Sequence, residues 1–197
     1  MSRCIIVQGD CNPEWLPLVK EGFKGFPTIY STWEGTDTNL FDENDIVLYN
    51  PIPEWTGVSN LNLQKVSSLK GFHKAKAMGF ERVVKWRSDF YCPNTELTFD
   101  TFKSDKFNFY AWHKDNYVTD FFMEGDIDEM IALFSFEGMN ARFPEEAFTD
   151  RMFELGLDSK VNFVCKDIFE PNDIKWLKQN YWLSFNTLDN DYKNSII

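Results

Sequence analysis

The segment Val83–Pro93 restricts what this chain can fold into more than any other part of the sequence. Its apolar run predicts a strand, yet Lys85, Arg87 and Asp89 stand at the carboxyl end of that strand, and Pro93 ends it. Two cations and a carboxylate are costly to bury in an apolar core, whereas a diphosphate and a divalent metal suit them well. The segment therefore predicts a strand that ends at a ligand-binding edge of a sheet.

The first half of the chain alternates between predicted strands and predicted helices. Strands are expected at residues 4–7, 28–33, 46–49 and 82–86. One helix is expected from Asn12 to Gly22 or Gly25, and a second carries apolar residues at three-residue spacing from Leu63 to Met78. This alternation predicts an α/β fold with a Rossmann-type, mostly parallel central sheet and helices on both faces, in which ligands bind beyond the carboxyl ends of strands.

The C-terminal half has α+β character. Strands are expected at residues 107–112, 118–123 and 161–164, with a turn at 114–116 between the first two. Asp126 is predicted to cap one helix, and Pro144 to open another that runs to Gly156. A last short helix is expected after Asn172 or Asp173, and the polar tail beyond residue 186 is expected to fray.

Charge limits the partners of the protein. The net charge of −11 argues against nucleic acid, because an acidic surface repels phosphate backbones. Seven cations nevertheless fall in one short region: Lys65, Lys70, Lys74, Lys76, Arg82, Lys85 and Arg87. This region is either an anion site or, for the helix lysines, a solvated helix face. The two alternatives are open at this point.

Compartment and cofactor chemistry are limited by what the sequence lacks. There is no signal peptide and no long apolar run, and the four cysteines form no C-x-x-C pair, so we expect a cytoplasmic protein with free buried thiols. No P-loop, no G-x-G-x-x-G after the first strand, no H-E-x-x-H and no G-x-S-x-G is present. His113 is a possible metal or substrate residue, although an ordinary strand-end role is favoured, and the oligomeric state is left open.

Several short motifs follow one another in an order that resembles a known family. They are Thr28–Gly35, Asn60–Lys65 with Ser68 and Gly71, Lys85–Asp89, Thr119–Phe122 with Gly125, and Phe143–Glu145. Over roughly residues 4–155 the chain resembles the WavE-type glycosyltransferases of lipopolysaccharide synthesis. It is also similar to the small glycosyltransferases that large algal viruses encode for capsid glycans.

The resemblance implies a GT-A-like fold, a nucleotide-diphosphate-sugar donor with a UDP-sugar favoured, and commonly Mn²⁺ or Mg²⁺. The length of the chain fits one domain over residues 1–197, in which the resemblance implies a nucleotide-binding half at 1–93 and an acceptor-side half at 94–197. Many such enzymes hold the metal with an Asp-x-Asp motif after the fourth strand. Here the corresponding place has one acid, Asp89, which departs from the pattern.

The first group of candidate residues concerns the diphosphate. A leaving diphosphate gains negative charge that a cation must stabilise. We expect Asp89 to bind the metal, with Lys85 or Arg87 beside the phosphates. Asp89 could instead cap the strand end, and Arg87 could instead be its ion-pair partner.

The second group is expected around the nucleoside. Gln8, Gly9 and Asp10 follow the first strand, where a base and ribose would lie, although an ordinary turn is an equal alternative. The second strand ends in Thr32, Trp33 and Glu34, and the indole could stack on the base or lie in the core. Further polar candidates at a helix start, which attracts anions, are Asn60, Gln64 and Lys65.

Two carboxylates are candidates for the general base. If the reaction inverts configuration, the acceptor hydroxyl must lose a proton to a group within reach. Asp120 is the first candidate because it stands among β-forming residues, and Glu145 is the second, with a helix-start charge as its alternative role. If the reaction retains configuration, both can simply hold sugar hydroxyls.

Two other functions compete with a glycosyltransferase that extends a glycan. A sugar nucleotidyltransferase normally needs a glycine-rich basic loop after the first strand, which Gln8–Glu14 lacks. A catalytically inactive glycan-binding protein on the same fold would explain the missing second acid.

Overall fold

The computed structural model describes residues 2–92, 95–100, 102–111, 118–137, 142–164, 174–176 and 181–183. The first half contains strands β1 (Arg3–Gln8), β2 (Thr28–Trp33), β3 (Ile46–Asn50) and β4 (Arg82–Arg87) and helices α1 (Leu16–Gly22) and α2 (Leu61–Ala77). These elements lie where hydrophobic periodicity predicts them. Some features of the sequence analysis lie outside the described residues. They are the candidate residue His113, the predicted turn at 114–116, Cys165 and the polar tail beyond residue 186.

The second half adds shorter elements. In chain order they are β5 (Phe90–Tyr91), α3 (Thr95–Asp100), β6 (Phe107–Ala111), β7 (Val118–Asp126), α4 (Ile127–Phe134), α5 (Pro144–Glu154), β8 (Val161–Val164), β9 (Ile174–Trp176) and β10 (Tyr181–Leu183). Asp126 caps α4 by accepting from the backbone N–H groups of Asp128 and Glu129, as predicted. Pro144 opens α5, also as predicted.

The central sheet has seven strands in the order β3-β2-β1-β4-β7-β6-β8. The pairs β3–β2, β2–β1, β1–β4 and β6–β8 are parallel, whereas β7 runs antiparallel to both of its neighbours. The predicted mostly parallel sheet is therefore confirmed. Because β1, β2 and β4 are parallel neighbours, their carboxyl ends meet at one edge.

Two apolar clusters cover the two faces of the sheet. One lies under α1 and contains Phe23, Trp86 and Phe122, with the Trp86 and Phe122 rings stacked at a centroid distance of 5.3 Å. The other lies under α2, α4 and α5 and contains Phe72 and Phe134. Their burial on opposite faces confirms that helices cover both sides of the sheet.

Close packing fixes α2 against β1. A Cβ atom at Gly71 would lie 2.2 Å from Cγ2 of Ile6, so only glycine permits this approach. The buried face of α2 also carries polar residues near its start, among them Gln64, Ser67 and Ser68. That polar surface is unusual for a core helix, and it supports the cleft described below.

The predicted helix after Asn172 or Asp173 is wrong. Residues Ile174–Trp176 form β9, which pairs antiparallel with β10 and with β5 in a separate three-stranded sheet. The capping signal is local, whereas strand pairing with distant residues decides the structure here. Helix α1 begins at Leu16 rather than at Pro13, because Asn12 closes a turn first: its side chain accepts from Glu14 N and its carbonyl from Trp15 N.

Three of the cysteines, Cys4, Cys11 and Cys92, are buried and free, as expected. Burial raises the pKa of the Cys4 thiol to about 12. Among the described helices, none has the length and apolar composition needed to cross a bilayer.

Candidate functional site

A cleft of about 250 Å³ opens at the carboxyl ends of β1, β2 and β4. It is lined by Gln8, Gly9, Asp10, Trp15, Trp33, Ser59, Asn60, Leu63, Gln64, Arg87, Ser88 and Asp89. Eight of the fourteen predicted site residues are in this lining. They come from three strand ends and the start of α2, so the tertiary structure brings together residues that are up to 81 positions apart, from Gln8 to Asp89.

Glycine is required at the end of β1. Gly9 has a φ of +116°, and a Cβ atom there would lie 2.9 Å from the Ser88 hydroxyl. That hydroxyl donates to the carbonyl of Asp10 at 2.7 Å, which joins the loop after β1 to the loop after β4. The close approach of the two loops shapes the floor of the cleft.

A buried polar network holds the Gln8 side chain. The Ser67 hydroxyl on α2 lies 2.8 Å from Gln8 Oε1 and donates to it. The Ser67 carbonyl accepts from the Ser31 hydroxyl at 2.7 Å, and Asn50 Nδ2 donates to Ser31 Oγ at 3.0 Å. Gln8 Oε1 is therefore held next to α2, and the backbone of Ser67 is tied in turn to β2 and β3.

Arg87 is the central cation of the cleft wall. Its Nε and one terminal nitrogen donate to the two Asp89 oxygens at 2.9 and 2.7 Å, and the other nitrogen lies 3.2 Å from Asp120 Oδ2. Burial by itself lowers the pKa of Arg87, but the charges and hydrogen bonds of Asp120 and Asp89 raise it above its ordinary value. The ion pair between Arg87 and Asp89 that was open in the sequence is present.

Lys85 lies behind the wall of the cleft and is fully buried. Its Nζ donates to Gln64 Oε1 at 3.1 Å and to the backbone carbonyl of Asp120. Burial lowers its pKa to about 8, although the nearby Asp120 carboxylate acts in the opposite direction. Lys85 therefore supports the cleft through Gln64 and Asp120 and does not line it.

The two candidate bases differ in their surroundings. Asp120 is buried, and its Oδ2 accepts from Gln64 Nε2 at 2.6 Å in addition to the Arg87 contact. Glu145 is half-buried in the first turn of α5. Burial raises the pKa of Glu145, and the charge of Asp120 raises it further, while Lys85 and Arg87 oppose the change. Neither carboxylate is in the cleft lining.

Three other predicted residues also lie outside the lining. The buried Thr32 hydroxyl pairs with Thr36 at 3.0 Å, and Glu34 is exposed in the turn after β2. The Lys65 ammonium contacts the Phe136 carbonyl and lies 4.2 Å from the centre of the Phe136 ring, and burial lowers its pKa. The Thr32 and Lys65 side chains therefore have structural partners, whereas Glu34 faces solvent.

Four residues of the lining were missed by the sequence reasoning: Trp15, Ser59, Leu63 and Ser88. Ser88 stands inside the Lys85–Asp89 motif, which is a signal that could have found it. Ser59 and Asn60 have left-handed backbone angles, with φ of +47° and +65°, immediately before α2. No sequence pattern predicts that the chain would bend there toward the cleft.

The donor set at the cleft fits a metal that is shared with a substrate. The described residues contain no cluster of three His, Cys, Asp or Glu side chains that could form a protein cage. Asp10 and Asp89 line the cleft, and Mg²⁺ is commonly held by one or two carboxylates together with substrate phosphate oxygens. Arg87 is the cation among the described lining residues, and the ion pairs with Asp89 and Asp120 already neutralise its positive charge. A bound diphosphate would therefore need an additional positive charge.

Comparison with solved structures identifies the fold. A protein of Desulfovibrio desulfuricans G20 described as a nucleotide-diphospho-sugar transferase matches with a TM-score of 0.58 and 12% identity, over 83% of this chain and 80% of that one. A glycosyltransferase involved in glycosylation of the major capsid of PBCV-1 matches with a TM-score of 0.52 and 11% identity, over 83% and 82%. The fold is of the GT-A type.

A third GT-A-like neighbour belongs to a different class of enzyme. It is a cytidylyltransferase from Leptospira borgpetersenii serovar Hardjo-bovis, with a TM-score of 0.53 and 12% identity, and the match covers 99% of this chain and 95% of that one. No protein-family model and no curated protein matches the sequence, so membership of the WavE-type family stays a prediction. At these identities the GT-A likeness shows the fold alone.

Proposed function

We propose that this chain is a glycosyltransferase that moves a sugar from a nucleotide-diphosphate-sugar donor to a hydroxyl group of a glycan acceptor. One observation carries the proposal: a single cleft joins Trp33 at the end of β2, Gln8 at the end of β1, and Arg87 with Asp89 after β4. The flat Trp33 indole and the charged pair of Arg87 and Asp89 lie at opposite ends of this cleft, with Gln8 between them.

The spacing of the strands supports a nucleoside diphosphate as the ligand. Strand β1 lies between β2 and β4, so these two strands are two strand spacings apart, about 10 Å, and Trp33 lies two residues beyond Ser31, which is level with Gln8 and Arg87. A base at Trp33 would place ribose near Asp10 and the diphosphate near Arg87 and Asp89. In this arrangement the first half of the chain binds the donor, and the acceptor is assigned to the second half.

The metal belongs to the same proposal. Asp89 would hold Mn²⁺ or Mg²⁺ together with diphosphate oxygens, and the ion would stabilise the charge that develops on the leaving diphosphate. Arg87 orients Asp89 through its two parallel hydrogen bonds. It also presents a guanidinium group to the diphosphate end of the cleft.

For an inverting reaction, we assign proton removal to Glu145. Its raised pKa makes it a better proton acceptor than an ordinary carboxylate. Asp120 accepts hydrogen bonds from Gln64 and Arg87, which fix the side chains of both partners. Asp120 is therefore proposed to position the cleft wall next to the base.

A sugar nucleotidyltransferase is the second candidate, favoured by the nearly complete overlap with the cytidylyltransferase fold. Such an enzyme joins a nucleoside triphosphate to a sugar phosphate and releases pyrophosphate. The loop after β1, residues 9–14, contains no lysine or arginine that could hold a triphosphate. The glycosyltransferase is favoured for this reason.

The test is nucleotide-sugar binding and donor hydrolysis with the full chain. We expect UDP-sugars to bind in the presence of Mn²⁺ and to be slowly hydrolysed when no acceptor is present. Asp89→Asn should reduce hydrolysis at least about tenfold if it removes one charged contact to the metal and diphosphate. Asp158→Asn is the matched control, because this exposed aspartate precedes β8 at the opposite end of the sheet.

Three results would contradict the proposal. Pyrophosphate release from a nucleoside triphosphate and a sugar phosphate would favour the nucleotidyltransferase. Binding of free glycans without any affinity for nucleotide or metal would favour the inactive glycan-binding protein. Equal hydrolysis by Asp89→Asn and the unchanged protein would remove Asp89 from the reaction.

A further inference from the structure

We infer that the side-chain amide of Gln8 selects the base of the donor nucleotide by donating a hydrogen bond from Nε2 to the carbonyl oxygen at ring position 4, which favours uracil over cytosine. This inference rests on the proposed donor site and adds a specificity-determining residue to it. It concerns the base, whereas the proposed function depends on the diphosphate and the transferred sugar.

The position of Gln8 suits contact with the edge of a base. Gln8 is 4% exposed, and in the sheet it pairs with Ser31 of β2 on one side and Arg87 of β4 on the other. Trp15 and Trp33, both half-buried, line the same cleft. Apolar indole surfaces with one buried amide between the strand ends form a suitable site for a flat heterocycle with polar edges.

The surrounding network fixes which end of the amide is available. The Ser67 hydroxyl has one proton, which it donates to Gln8 Oε1 at 2.8 Å. The Leu63 carbonyl also lies 2.8 Å from this hydroxyl and keeps a second lone pair beside the one that accepts the helical N–H of Ser67, so the donation to Gln8 is part of the inference and rests on the position of Oε1, not Nε2, next to Ser67. With Oε1 held by the helix, Nε2 is directed away from it. No described residue accepts a hydrogen bond from Gln8 Nε2.

A fixed N–H donor discriminates between the two pyrimidines. At ring position 4 uracil carries a carbonyl oxygen, which accepts a hydrogen bond, as in thymine, whereas cytosine carries an amino group, which donates. A cytosine amino group facing Gln8 Nε2 would place two donors together and leave both without a partner. The difference in affinity between UDP and CDP therefore reports which end of the Gln8 amide faces the base.

The experiment measures the dissociation constants of UDP and CDP by calorimetry, with Mn²⁺, for the full chain and three variants. The unchanged protein should prefer UDP about tenfold or more. Gln8→Met, of similar size without the amide, should bring the ratio close to one. Ser67→Ala frees the amide to turn and should reduce the ratio several-fold.

Ser68→Ala is the matched control. Ser68 is the next residue on α2, it is also buried, and its hydroxyl has no hydrogen-bond partner among the described residues. The preference for UDP should therefore be unchanged in this variant. Thermal unfolding of each variant separates a change in specificity from a loss of folded protein.

Equal affinity for UDP and CDP, or a preference for CDP, would overturn the inference while leaving the donor site in place. A preference for CDP would mean that the Ser67 proton lies on Leu63 and that Gln8 turns its carbonyl into the cleft. A UDP preference unchanged in both Gln8→Met and Ser67→Ala would overturn it as well. Failure of every nucleoside diphosphate to bind would instead overturn the proposed function.

Discussion

The fully buried Lys85 makes the stability of this protein depend on pH in a direction that can be measured. Its pKa is about 8 in the folded chain and 10.5 in an exposed lysine. This difference corresponds to a penalty of about 3 kcal/mol for the charged form in the folded state. Below pH 8 both states carry the proton, so the folded protein bears the whole penalty.

The perturbation is Lys85→Met. Methionine has a similar length and removes the desolvation penalty, but it leaves the Gln64 and Asp120 acceptors without their donor, at about 1–3 kcal/mol each. At pH 7 the two effects oppose each other, so the sign of the change there is not diagnostic. The pH dependence of the difference is diagnostic, because it depends on the titration of Lys85.

Between pH 8 and 10.5 the unfolded chain binds more protons at Lys85 than the folded chain does. The free energy of unfolding must therefore rise with pH relative to Lys85→Met. From pH 7 to pH 10 the gain should be about 2.5 kcal/mol, from the two pKa values and the linkage relation. Lys74→Met, at an exposed position of α2, corrects for the general effect of losing a positive charge.

The assay is urea unfolding followed by tryptophan fluorescence at pH 7, 8, 9 and 10 for the three proteins. The unchanged protein should gain stability over Lys85→Met as the pH rises, with most of the gain above pH 8. Parallel curves for these two proteins would refute the reasoning, because they would show that burial does not disfavour the Lys85 ammonium in the folded state.

Three further changes test the packing of the sheet, of α2 and of the loop after β1. Glu124→Ala should destabilise the fold by about 3–5 kcal/mol in urea unfolding, because it leaves Arg82 buried without its carboxylate; a loss below about 1 kcal/mol would contradict this. Gly71→Ala should cost about 1–3 kcal/mol in the same assay, since its methyl group would overlap Ile6; equal or higher stability would show that the helix moves freely. Gly9→Ala should cost about 1–3 kcal/mol through its positive φ and should weaken nucleotide binding in calorimetry, whereas unchanged values would contradict the role of this turn.

The sequence predicted the regular elements well wherever one element could bury its own apolar face. The run before Arg87 is an uninterrupted buried strand, and α2 forms where the spacing from Leu63 to Met78 predicts it, although Phe72 and Ala75 are the residues of that stripe that are fully buried. Both patterns are local, so the elements form where the periodicity places them. The segment Ile174–Trp176 is the contrary case, because its pairing with β5 joins residues more than 80 positions apart.

The candidate site was predicted in part for the same reason. Polar residues after β1, β2 and β4 had to meet, because parallel strands end at one edge, and so Gln8, Trp33 and Arg87 share the cleft. Which side chains face the ligand is decided by packing across the sheet. Lys85, on the same strand as Arg87, lies behind the wall of the cleft, and no spacing rule distinguished the two.

The amino-acid sequence by itself determined the α/β class, the order of the elements in the first half, and the polar strand ends where a ligand can bind. Tertiary structure alone decided that Arg87 also reaches Asp120 and that the Ser67 hydroxyl contacts the amide of Gln8. The physical reason is the range of the interactions. Periodicity acts over a few residues, whereas buried hydrogen bonds and ion pairs join groups that come together only after the sheet and its helices have packed.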